Sequence, residues 1–302
     1  MTVENSGSTS GSTSGSSSGI SKVGVLGGGL MGSGIAEVAA RAGVDTVINE
    51  VNEKFRDAAQ QRVQASLAKS VAKGKTTQDD MDAALARLSF ACDLTSVADC
   101  DIVIEAATEN EAMKLDLFRQ VGEVLTQDDA ILASNTSSLQ IVRLGTASGR
   151  VEHTVGLHFF SPVPLMKLVE VIPSLATRDD VLERARSFVA DTLGKTAIIA
   201  PDRPGFVVNA LLVPYMFAAI RMLENGHASA EDIDTGMKLG CGYPMGPLAL
   251  IDNVGLDTCR AAGAAMYAEY KDAAYAPPPL LNRLVDAGFL GRKSGRGFYT
   301  YS

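Results

Sequence analysis

Two residues carry the first chemical signal. His158 is one of three histidines in the chain, and it sits in the run GLHFF between Leu157 and Phe159. Glu170 stands between Val169 and Val171, again with apolar neighbours on both sides. A buried imidazole and a buried carboxylate each cost free energy unless a partner satisfies them. If they meet, the carboxylate fixes one ring nitrogen and leaves the other free to take or give a proton. That is the orienter-and-base part of a catalytic triad, without a nucleophile. A purely structural buried pair is the other reading open at this point.

The elements that position this pair are legible around it. TVGLHFF and KLVEVI read as successive strands joined by the proline-bearing SPVP turn, so the two side chains can meet. Upstream, Val23 to Leu26 form a short apolar strand, Ser33 to Ala42 read as a small-residue helix stopped by Gly43, and residues 44–50 form a second strand ending on Glu50. Strands also fall at 100–107, 130–138 and 197–200, with amphipathic helices between them, which means a doubly wound α/β domain on a parallel sheet. Residues 53–88 turn helical with a break at Lys73-Gly74-Lys75, a helical hairpin inserted into the sheet domain. After DRPGF the texture is helical throughout, at 206–224, 230–239, 247–268 and 279–287. The expected division is a Ser/Gly/Thr-rich tail at 1–20, an α/β domain at 21–202 and an all-α domain at 203–302.

Between the first strand and helix, Gly27-Gly28-Gly29-Leu30-Met31-Gly32 satisfies G-x-G-x-x-G. Gly27 suits the tight turn, Gly29 lets backbone approach a pyrophosphate, and Gly32 allows close packing of helix on strand. Phosphates would rest on N–H groups at the helix N-terminus. Glu50 can hold both ribose hydroxyls of NAD and would repel the extra phosphate of NADP. The turn NTSS (135–138) lies at the carboxyl edge, where such sheets bind ligands. It reads equally well as a polar strand-to-helix turn.

Composition bounds the rest. A net charge of −8 argues against a nucleic-acid or membrane-surface role, and no apolar run is long enough to span a bilayer. Within this acidic chain Lys69 and Lys73 share one helical face with Lys75 just beyond, a cluster able to meet phosphates or simply to be solvated. The four cysteines show no metal-ligand or disulfide spacing, which fits a reducing cytosol and no metal. The tail lacks the basic start and apolar core of a signal peptide.

The motifs GGGLMGSGIA, SNTSSL, GLHFFSPVPLMKLVEV, PGFVVNALLVPY, SAEDIDTGMKLGCGYPMGP and GRKSGRGFY, in this order over residues 21–302, resemble the L-3-hydroxyacyl-CoA dehydrogenase family. The resemblance is strongest to its free-standing short-chain type. It implies a Rossmann-like NAD-binding domain, NAD as cofactor and acyl-CoA as substrate. His158 is then the catalytic base, Glu170 its orienting partner, and Ser137 and Asn209 the groups that hydrogen-bond the substrate oxygens. For the cofactor it implies the glycine loop, Glu50, Glu109, Lys114, Ser137 and Lys293. For coenzyme A it implies Ser66 and Lys73, to which Lys69 is joined by its shared face.

Two departures stand out: Ser161 where the family usually has Asn, and Glu50 where many relatives have Asp. A dehydrogenase of free 3-hydroxy acids and an NAD-binding structural protein are the alternatives on the same fold. FVVNALLVPYMFAAI is apolar around most of its circumference, so part of it must be buried, against the α/β domain and against a second copy. The resemblance likewise implies a homodimer through this region.

Overall fold

The structure, a computed structural model, describes residues 18–301. Eight strands run β1 Lys22–Leu26, β2 Asp45–Asn49, β3 Leu88–Ala91, β4 Ile102–Glu105, β5 Ile131–Ser134, β6 Thr154–Phe159, β7 Leu168–Pro173 and β8 Thr196–Ile199. They form one sheet in the order β3-β2-β1-β4-β5-β6-β7-β8. The helices among them are α1 Leu30–Arg41, α2 Glu53–Ala72, α3 Gln78–Ala86, α4 Glu111–Val124, α5 Ile141–Ser148 and α6 Asp179–Ser187. Five more follow the sheet: α7 Val208–Glu224, α8 Ala230–Cys241, α9 Pro247–Val254, α10 Leu256–Tyr270 and α11 Pro279–Asp286.

The expected α/β architecture with a helical hairpin and a helical C-terminal part is what the chain adopts. The inserted hairpin is α2 and α3, and its break falls at Lys73–Thr77, where Thr77 and Asp80 form a capping box. Alternation along β4 explains why both sheet faces are covered. Ile102 and Ile104 enter one apolar core while Val103 enters the other. A third core, built on Phe217, Ile220, Leu248, Ile251 and Leu256, belongs to the C-terminal helices.

Three features differ from the sequence reading. The sheet is not wholly parallel: β7 pairs antiparallel to β6, and β8 follows β7 in parallel. LSFA, left unassigned where the helical run stops at 88, is a strand at the sheet edge paired with β2. The single helix expected over 247–268 is two, because Gly255 takes φ +107° between α9 and α10. That conformation is open to glycine and ends the first helix. Of the tail read to residue 20, residues 1–17 lie outside those described. Ser18 and Ile20 are buried, and Ser18 Oγ lies 3.0 Å from Thr192 Oγ1.

Among the described residues no helix is long and apolar enough to cross a membrane. All four thiols are free, Cys100 and Cys259 buried, Cys92 and Cys241 exposed. Burial pushes the Cys100 and Cys259 thiols up to about 12. Titration of the native protein with a thiol reagent at mildly alkaline pH should therefore modify Cys92 and Cys241 promptly, and the other two only after denaturation. Four fast thiols in the native state would contradict the packing around Cys100 and Cys259.

Candidate active site

His158 and Glu170 face each other across the β6–β7 ladder as register partners. Nδ1 of the imidazole lies 2.6 Å from Oε2 of the carboxylate, with Glu170 fully buried and His158 nearly so. A carboxylate only accepts, so Nδ1 donates and Nε2 keeps its lone pair. The second oxygen, Oε1, accepts from the backbone N–H groups of Val207 and Val208, each at 2.9 Å. Burial alone would raise the Glu170 carboxyl. The bonds from His158, Val208 and Val207 outweigh it and hold the group below the usual carboxylate range. Two rings flank the imidazole: Phe160 edge-on with centroids 4.7 Å apart, and Phe206 at 5.4 Å. Phe206 adopts φ +47°, a strained conformation for a bulky residue, and the strain sits directly against the histidine.

The polar turn after β5 closes the same region. Asn135 Oδ1 accepts from Phe159 N–H at 2.9 Å, which fixes the strand end beside His158. Thr136 Oγ1 donates to Glu109 at 2.8 Å, and Ser137 N–H donates to the other Glu109 oxygen at 3.2 Å. The carbonyl of Ser137 accepts from Gly205 N–H at 3.4 Å. Asn209 follows Val208, one of the two donors to Glu170. The start of α7 is thus held on Glu170 through Val207 and Val208, and Gly205 holds the same segment to Ser137. Asn135, Thr136 and Phe206 were not singled out from sequence. Asn135 and Thr136 lie in the NTSS turn and Phe206 in the PGFVVN motif, but neither signal gave them a role of their own.

The glycine loop lies at the sheet's switch point, where β1 has β2 on one side and β4 on the other. Gly27 takes φ +89°, and a Cβ there would stand 2.6 Å from Ala107 Cα after β4. A Cβ on Gly32 would lie 1.8 Å from the Gly27 carbonyl oxygen. Helix α1 has Gly29 as its N-cap, with no side-chain cap and no acid in its first turn. Its first N–H groups therefore face outward with positive partial charge, a fit for a dinucleotide pyrophosphate. Glu50 Oε1 accepts from Gly28 N–H at 2.5 Å, and Arg62 of α2 donates to the Gly28 carbonyl. Arg62 is a loop-holding residue that its helical position alone did not reveal.

Glu50→Gln keeps an oxygen for the Gly28 N–H while removing the charge. It should lower KM for NADPH by about tenfold and move KM for NADH far less. An unchanged NADPH KM would remove Glu50 from the ribose end.

Two lysines assigned to the cofactor by resemblance have other neighbours here. Lys114 is buried in an ion pair with Glu105, whose Oε2 also accepts from Ser134 Oγ at 2.8 Å. Lys293 Nζ donates to Asp257 Oδ2 at 2.7 Å, within the C-terminal helical part.

Ser66, Lys69 and Lys73 come together in a cleft of about 300 Å³, with Lys75 and with Pro162, Pro164 and Leu165 from the segment between β6 and β7. That segment leaves the strand carrying His158, and its Ser161–Pro162 bond is cis. Lys195 clamps it from below: the buried ammonium donates to the carbonyls of Val163 at 2.8 Å and Met166 at 2.7 Å. Burial lowers the Lys195 pKa.

With this geometry in view, comparison with known proteins is decisive. The family model for the 3-hydroxyacyl-CoA dehydrogenase NAD binding domain matches residues 22–203, and that for the C-terminal domain of the same family matches residues 205–301. The chain belongs to the 3-hydroxyacyl-CoA dehydrogenase family. A 3-hydroxybutyryl-CoA dehydrogenase from Mycobacterium tuberculosis is 49% identical over 282 residues, 93% of this chain and 99% of that one. One from Bradyrhizobium diazoefficiens is 45% identical, over 93% of this chain and 96% of its own. The crystal structure of (S)-3-hydroxybutyryl-CoA dehydrogenase from Ralstonia eutropha superimposes with a TM-score of 0.90 at 42% identity, covering 94% of this chain and 99% of that one. Membership gives NAD as the cofactor of the domain spanning residues 22–203.

Proposed function

We propose that this protein catalyses the reversible NAD-dependent oxidation of short-chain L-3-hydroxyacyl-CoA, with 3-hydroxybutyryl-CoA and acetoacetyl-CoA as the pair it interconverts. The observation that carries the reading is the buried His158–Glu170 contact of 2.6 Å. An alcohol oxidation must dispose of the hydroxyl proton, and this pair is built to receive it.

Bound NAD supplies the hydride acceptor. In oxidation Nε2 of His158 accepts the 3-hydroxyl proton as the C3–H electron pair departs and the C–O bond becomes a carbonyl. Glu170 stabilises the imidazolium so formed through Nδ1–H. Ser137 and Asn209 hydrogen-bond the hydroxyl or thioester oxygen, and Phe160 and Phe206 shield the imidazole from water. In reduction the protonated histidine returns the proton. Lys69 and Lys73 meet the phosphates of coenzyme A, and Ser66 adds a hydrogen bond.

The apolar surface of the helical part supports a homodimer. Leu211, Met222 and Leu239 are exposed, and Met222 borders an apolar groove with Tyr215 and Met237. The acidic charge and free thiols support a cytosolic enzyme.

The direct test is loss of NADH absorbance with acetoacetyl-CoA, repeated with NADPH and with free acetoacetate. Fast turnover with NADH and the thioester alone is expected. Silence with the thioester and turnover of the free acid would sink the CoA assignment and demote Lys69 and Lys73 to a solvated face.

A further inference from the structure

We propose that Arg41 is the fixed cation that recognises the phosphate-bearing end of the acyl-CoA, and that Glu37 is the positioning residue holding it in place. The inference deepens the functional reading above and rests on it. Arg41 closes helix α1, and its Nη1 lies 3.7 Å from Glu37 Oε1 one turn earlier. The Glu37 side chain is 2% exposed and that of Arg41 is 35% exposed. A buried anchor therefore carries a solvent-facing guanidinium. Burial raises the Glu37 carboxyl, and its neighbours Ser66 on α2 and Arg41 oppose that rise, so the one carboxylate faces both helices that flank the cleft.

Both residues line the cleft occupied by Ser66, Lys69 and Lys73. Arg41 further lines the adjoining cleft with Lys167 and Lys195, and so stands on the ridge between the two. The lysines offer compact charges on flexible stems. Arg41 alone offers a planar fork already held by a buried acid, the geometry that matches a phosphate in two hydrogen bonds. An uncompensated carboxylate in a cleft for an anionic ligand would repel it. Paired to Arg41, Glu37 instead pre-sets the cation.

A thioester cut back to pantetheine keeps the reacting carbonyls but lacks the nucleotide phosphates, which separates recognition from chemistry. Arg41→Gln should raise KM for acetoacetyl-CoA by about tenfold, the loss of one charged hydrogen-bonding contact, with kcat within twofold. KM for S-acetoacetyl-pantetheine and for NADH should not move. Glu37→Gln should raise KM for acetoacetyl-CoA more modestly and add nothing in the Arg41→Gln background, with the melting temperature of each variant checked. An unchanged KM for acetoacetyl-CoA in Arg41→Gln, or an equal rise for both thioesters, would overturn the assignment of Arg41. Full additivity of the two substitutions would overturn the positioning role of Glu37. A wild-type enzyme silent on both thioesters would take down the functional reading itself, and Arg41 with it.

Discussion

Replacing His158 by glutamine should lower kcat by about 10²–10⁴-fold, the usual contribution of a positioned general base, while the protein stays folded. The reason lies in how the imidazole is held. Nδ1 is committed to Glu170 at 2.6 Å, so Nε2 is the nitrogen left to exchange a proton. A glutamine amide can fill the space and still hydrogen-bond the carboxylate, but it neither gains nor loses a proton near neutral pH. The strand itself is held independently, by its ladder to β7 and by the Asn135 bond to Phe159. Melting temperature and NADH affinity should thus stay close to wild type while turnover collapses. A folded variant that keeps activity within about tenfold would exclude His158 as the base.

Glu170 should show two separable losses. In Glu170→Gln, Oε1 can still accept from Val207 and Val208, and the amide nitrogen then faces Nδ1 of His158. A donor there forces the ring proton onto Nε2, the tautomer that cannot accept the substrate proton. The expected cost is roughly 10²–10⁴-fold in kcat, as for other misplaced tautomers, with little loss of stability.

Glu170→Ala removes the acceptor altogether. It leaves an imidazole and two backbone N–H groups unpaired in a buried place, at a cost of about 3–5 kcal/mol. Because those N–H groups open helix α7, the loss should also loosen the helical part from the sheet. Thermal melts of the two variants beside their kcat values check this. Equal stability loss in both would refute it.

The pH dependence follows the same logic. The folded-state pKa of Glu170 lies below that of a free carboxylate, so the carboxylate stabilises the fold fully above the unfolded pKa. That contribution is lost as pH falls through the lower, folded value. Acid destabilisation from this group should consequently appear only below the ordinary glutamate range near about 4.3, and Glu170→Gln should abolish it.

Much of this is legible in the sequence alone. Residue types and short-range spacing specified the glycine loop with Glu50 at the end of the next strand, the helical hairpin, and a His and a Glu on successive strands. These are local matters of period, turn chemistry and burial cost, which a linear chain displays directly.

What remained hidden was long-range. KLVEVI reads the same whether it pairs parallel or antiparallel, so only the ladder decided that His158 and Glu170 are register partners. A four-residue strand at an edge carries too short a pattern to be read, and Gly255 gave no sign of the positive φ that splits the helix there.

At the site, the sequence singled out His158 and Glu170 by the cost of burying them, and the ladder sets the two opposite each other. Tertiary structure decided their company: Glu170 finds two further donors 37 and 38 residues away, and Phe206 is bent onto the imidazole. Such contacts depend on how whole elements dock, and docking is settled by packing of the three cores rather than by any residue's neighbours in the chain.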